Sequence, residues 1–180
     1  MKKSYIIAFW SPFQIPSMSF CTDFFSPILK EYGNIQCLNC QHFSGKRTFY
    51  LLRQADLVVI GLKQDPRLLD VYFTHLTGHF SNIMYIIMDY FSKESVSIEK
   101  ICLDYRIPRQ RIARIPYNIR FYEAARRGQA QRYLRFRHEQ SGYERYTGFQ
   151  TELAQTVNLF LKALQPEPYW YPETAHAFPL

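Results

Sequence analysis

Cys37-Leu-Asn-Cys40, with His42 two residues on, is the one cluster in the chain with metal-ligand character. Two thiolates at this spacing can share a tetrahedral zinc, but they make half a site. No second Cys-x-x-Cys follows, and His75 and His79 are no more than conceivable partners, so buried cysteines on a strand are the plainer expectation. The two histidines fall four apart on one helix face without the carboxylate that a metalloprotease helix places between them. A Gly-x-Ser-x-Gly elbow and a kinase-like signature are also missing, so the residue pattern assigns no catalytic residue and no metal.

Arginine is the second feature with chemical content. Residues 106 to 145 hold eleven arginines against three glutamates and no lysine or aspartate, which leaves the rest of the chain close to neutral. This stretch accounts for the formal charge of +7. A guanidinium fork suits carboxylate and phosphate contacts and stacks on aromatic rings. Arg120, Arg126, Arg127, Arg132, Arg135 and Arg137 are therefore the candidate contacts to an acidic protein surface, a nucleic acid or anionic lipid; the alternative is a solvated basic helix.

These residues must be carried by a single domain. Its 180 residues are 47% hydrophobic with a mean hydropathy of −0.27, which suits a packed core in a water-soluble chain. The basic start Met1-Lys2-Lys3 precedes an apolar run too short for a signal peptide, and four cysteines without an export signal fit reduced thiols, so the expected location is the cytoplasm. Apolar runs at residues 3–10, 34–43, 55–62, 82–88 and 111–115 predict buried strands, and helical spacing predicts helices at 19–32, 48–54, 66–76, 97–105, 117–137 and 143–164. In the third of these helices Asp65 is placed to cap and Pro66 to occupy the first turn. Strict alternation of strand and helix predicts an α/β fold, three layers deep, with a mostly parallel Rossmann-like sheet over residues 1–164 and a Pro-rich aromatic tail over 165–180.

Arg114-Ile-Pro-Tyr-Asn-Ile-Arg-Phe-Tyr-Glu-Ala-Ala-Arg-Arg-Gly128 is similar to the Ile-Pro-x-(Asp/Asn)-x4-Glu-Ala-x3-Gly element that closes the nucleotide pocket in P-loop ATPases of the MinD/ParA group. Ala55-Asp-Leu-Val-Val-Ile60 and Ile86-Ile-Met-Asp89 resemble two core strands of that family, the second of which normally ends in Asn. The resemblance covers residues 46–137 well and 1–33 loosely.

The resemblance implies a P-loop-type sheet, with Pro116 and Asn118 beside the nucleotide and a glycine-rich loop after the first strand. That place reads Ser11-Pro-Phe-Gln-Ile-Pro-Ser-Met-Ser-Phe20, without Gly or Lys and with two prolines that offer no N–H. Only 21 residues separate Gly33 from Ala55, too few for the family strand that ends in a magnesium-linked Asp. The expectation is a degenerate member without a cofactor, in which Ser17, Ser19 and Thr22 are vestigial phosphate-side hydroxyls. ATP with magnesium in a divergent ATPase is the alternative, and a nonspecific nucleic-acid-binding module the third reading. By resemblance the function is positioning or assembly, of the TadZ/CpaE pilus and secretion type or the DNA-partition type, through dimerisation and the arginine face. Protein partners or a second copy come first, nucleic acid next, and a membrane at most peripherally.

Overall fold

A computed structural model describes residues 4–41, 45–76, 80, 82–94, 96–130, 132–133 and 144–164. Five strands, β1 (Tyr5–Trp10), β2 (Ile35–Asn39), β3 (Leu57–Lys63), β4 (Ile83–Tyr90) and β5 (Ile112–Pro116), form one parallel sheet in the order β2-β1-β3-β4-β5. Pairing runs from Tyr5 with Ile35 at one edge to Tyr85 with Ile112 at the other, with one register shift in the β4–β5 pair between Ile87 and Tyr90. Parallel strands need crossovers, and helices provide the cover: α1 (Ser19–Glu31), α2 (Lys46–Gln54), α3 (Pro66–Val71), α4 (Ile98–Asp104), α5 (Ile119–Arg126) and α6 (Glu144–Leu164).

The chain runs outward from β1 to β2 and then returns past β1 to β3, so α1 and α2 fall on opposite faces. On one face Ile7, Phe9, Leu57, Val59, Ile86 and Met88 pack against α1, α5 and α6; on the other Ala8, Val58, Ile60, Leu62 and Ile87 pack against α2, α3 and α4. Alternate residues of β1 and β3 thus serve two cores, which is why both strands are near-continuous apolar runs. The three-layer α/β/α architecture is as the alternation predicts. Phe9 stacks parallel to Phe25 at 6.0 Å while Phe160 of α6 meets both edge-on at 5.8 and 5.1 Å, which locks strand, first helix and last helix together.

Boundaries differ from the periodicity where local chemistry decides them. Asp65 caps α3 by accepting the Arg67 N–H at 2.9 Å, and Ser97 caps α4 through Lys100 N–H at 3.2 Å. Helix α3 then widens into a π-helical turn over Tyr72–Leu76. The helix expected over 117–137 stops at Arg126, because Gly128 adopts φ +67° and the Gly128 and Gln129 amides return to the carbonyls of Ala125 (2.9 Å) and Ala124 (2.8 Å). The aromatic tail lies outside the described residues, and among those no helix is long and apolar enough to cross a membrane.

A close approach fixes the short helical turn Pro16–Met18 on the sheet. Met18 is fully buried with its sulfur over Gly61 of β3, and a Cβ built on Gly61 would lie 2.4 Å from that sulfur. Gly61→Ala is expected to cost about 1–3 kcal/mol in urea unfolding. Pairing it with Met18→Ala should recover part of that loss, and two additive losses would show that the contact is not what couples them.

Candidate functional site

Strand order reverses at β1, flanked by β2 and β3, so a crevice opens beyond the carboxyl ends of β1 and β3, the usual ligand position in an open α/β sheet. Residues 11–18 from β1 and Asp89 at the end of β4 meet there. Several of the loop's donors bond within it. Phe13 N–H donates to Ser11 Oγ (3.2 Å), Met18 N–H to the Ile15 carbonyl (3.0 Å), Ser19 Oγ to the Pro16 carbonyl (2.7 Å) and Thr22 Oγ1 to the Ser19 carbonyl (3.4 Å). Pro12 and Pro16 have no N–H to offer, so the loop carries fewer backbone donors for a phosphate than a glycine-rich loop of the same length.

Ser17, buried, donates its hydroxyl to Asp89 Oδ2 at 3.0 Å, and the Tyr122 hydroxyl of α5 donates to Oδ1 of the same carboxylate. Asp89 holds a left-handed φ of +56°, a conformation that aspartate tolerates better than most residues. Burial, followed by the hydrogen bond to Asp89, raises the Tyr122 phenol above its ordinary range and keeps it a donor at neutral pH. The carboxylate is thus the chain's own anion at the point toward which Ser17 is directed. A phosphate brought there would meet like charge.

The other positions expected around a nucleotide have structural work. Asn118 caps α5 by accepting the Phe121 N–H at 3.0 Å, and Tyr133 donates to the same side-chain oxygen at 3.4 Å. Pro116 closes β5 in register with Tyr90, and the following amide, Tyr117 N–H, donates to the Tyr90 carbonyl at 3.1 Å. Both residues deliver α5, and with it Tyr122, to Asp89.

Cys37 and Cys40 diverge. An odd spacing in extended chain sends side chains to opposite faces, and Cys37 packs against the core on the α1 side while Cys40 belongs to the core beneath α2 and α4. Burial pushes both thiols up to about 11. His42 and His79 lie outside the described residues, and His75 is exposed on the π-helical turn. Among the described residues no group of three or more His, Cys, Asp or Glu is placed to hold a metal ion.

The arginine-rich stretch divides in two. Arg109 donates to the Ile112 carbonyl at 2.8 Å, Arg111 bonds Asn82, and Arg114 is paired with Glu152 of α6 and lies 5.1 Å from the Tyr90 ring centre. The hydrogen bond to Glu152 raises the Arg114 guanidinium's proton affinity further. Arg120, Arg126, Arg127 and Arg132 are exposed instead, along α5 and the turn after it. Arg135 and Arg137 lie outside the described residues. Beside Arg120 the apolar surface continues through Ile119 (52% exposed), Tyr117 and Phe91, the last two stacked at 5.1 Å. Gln64 holds Phe91 in place by accepting its N–H at 2.8 Å and donating to its carbonyl at 3.0 Å.

The chain matches no protein-family model and no curated protein. Sequence reasoning missed Asp89 and Tyr122 as partners of Ser17. The available signal was an acid at a strand end where the resembling family has Asn.

Asp89→Ala, which strands two part-buried hydroxyls, should lower stability by about 2–4 kcal/mol, and Asp89→Asn by less, in urea unfolding followed by far-UV circular dichroism. Equal losses would deny the carboxylate its role. The buried thiols set an alkaline limit. Their folded-state values lie above the ordinary 9.0, so the stability they lend is complete below pH 9 and falls as pH rises toward 11. Denaturation midpoints measured from pH 8 to 11 should fall less steeply in Cys37→Ser/Cys40→Ala; parallel profiles would exclude these thiols.

Proposed function

We propose that this chain is a non-catalytic relative of the MinD/ParA ATPases that positions or assembles a protein partner through the arginine surface of α5. The observation that carries the proposal is the Ser17–Asp89–Tyr122 cluster. In a nucleotide-driven switch the loop after β1 must present free N–H groups and positive charge to phosphate. Here the loop bonds itself and directs its buried hydroxyl to a carboxylate.

With the Ser17 hydroxyl turned to Asp89, the arginines of α5 supply the larger exposed basic surface. Arg120 is next to the apolar patch of Phe91, Tyr117 and Ile119, and Arg126, Arg127 and Arg132 continue the exposed basic surface to the end of α5 and the turn after it. Aromatic residues and arginine together are enriched where proteins dock, and an acidic surface on the partner matches the charge. The resemblance over 114–128 supports the assembly role, because the element that would cover a nucleotide in that family here supplies the basic helix.

ATP with Mg2+ should show no turnover, and any ATP binding should be unchanged by Ser17→Ala, while chemical crosslinking in cells should capture partners that Arg126→Glu/Arg127→Glu/Arg132→Glu no longer captures. ATP binding with turnover would overturn the proposal. So would a gel shift of duplex DNA at roughly 0.15 M salt that the charge reversals abolish, since it would make nucleic acid the partner.

A further inference from the structure

At the opposite end of the sheet from Asp89, a cavity of about 650 Å3 opens between the π-helical turn, the start of β4 and the loop from α4 to β5. Its volume falls in the range of roughly 300–1,000 Å3 typical of small-molecule sites. Phe73 and Tyr85 form one wall, edge-on at 5.3 Å, and Tyr105 stacks on Phe73 at 4.4 Å. Arg106 and Arg111 line the same space, and among the described residues neither is in a salt bridge. Among the described lining residues Asp104 is the one carboxylate, 3.1 Å from the Lys100 ammonium.

Arg106 stands in a costly place. Helix α4 closes as α5 does: the Ile107 amide returns to the Cys102 carbonyl (2.9 Å) and the Arg106 amide to Leu103 (3.4 Å), with Arg106 at φ +55°. After α5 this left-handed position is Gly128, where no side chain opposes it. After α4 it is an arginine. The closure does not call for a guanidinium, and the cavity it borders gives one a use. A second local departure, the widened turn Tyr72–Leu76, brings Phe73 and Thr74 to the cavity; such π turns often mark functional sites.

From this geometry we infer a binding site for a small planar aromatic oxyanion, its ring against Phe73, Tyr85 and Tyr105 and its carboxylate or phosphate on Arg106 and Arg111. Guanidinium forks recognise both groups, and the ring separates such ligands from free phosphate. The site is independent of the arginine surface on α5.

The test titrates the full chain with 2-naphthoate, AMP, adenosine and inorganic phosphate, and repeats each on Arg106→Gly, a variant that keeps the helix closure. At least one of 2-naphthoate and AMP should bind with a sub-millimolar Kd, with adenosine and inorganic phosphate weaker by about tenfold or more. Which of the two binds tells a carboxylate ligand from a nucleotide. Arg106→Gly should weaken that binding about tenfold while its thermal midpoint holds or rises. Failure of both ring-bearing anions to bind, binding of adenosine as tight as AMP, or unchanged affinity in Arg106→Gly would overturn the assignment.

Discussion

Asp89 is the point on which the carboxyl end of the sheet depends. Its left-handed backbone lies in the irregular stretch of the β4–β5 pairing between Ile87 and Tyr90, and its two oxygens gather the Ser17 hydroxyl from the turn before α1 and the Tyr122 hydroxyl from α5. Three segments far apart in sequence meet at one carboxylate. A half-buried carboxylate needs donors aimed at it, and this cluster supplies two of them. Once those hydroxyls are committed, an anion entering the crevice meets the Asp89 carboxylate, with Lys63 at the end of β3 on the same rim.

The rest of the molecule fits this arrangement. Met18 over Gly61 seats the turn that carries Ser17, Asn118 starts the helix that carries Tyr122, and Gln64 pins the backbone beyond Asp89 at Phe91. The Phe9, Phe25 and Phe160 cluster joins β1, α1 and α6 beneath them. Arginine is used twice, with different outcomes. Inside, Arg109, Arg111 and Arg114 tie β5 to its surroundings, with Arg111 reaching Asn82, which also donates to the carbonyls of Asp56 and Ala163. Outside, the arginines of α5 face solvent.

Much of the fold was legible because burial on both faces forces long apolar runs. Residues 55–62 announce β3 without ambiguity, and Asp65-Pro66 announce the start of α3 through a cap and a fixed φ. The end of α5 was misread because Gly128 sits inside an otherwise helical pattern, and its consequence depends on the Schellman closure rather than on periodicity. The cysteine pair looked like half a zinc site on spacing alone, yet three residues along extended chain separate the thiols onto different faces. Asp89 was the hardest to read. Sequence marks it as an acid where Asn is expected, but its partners lie 72 and 33 residues away and only the closed sheet brings them together. The division of the arginines into bonded and exposed sets is equally a matter of tertiary placement.

A crystal structure grown with phosphate or an ATP analogue in millimolar excess examines the central claim most directly. The account predicts the Ser17–Asp89–Tyr122 cluster intact and no anion against residues 11–18. A phosphate seated on that loop, with the Ser17 hydroxyl turned from Asp89 toward it, would contradict the account and return the chain to the nucleotide-binding proteins.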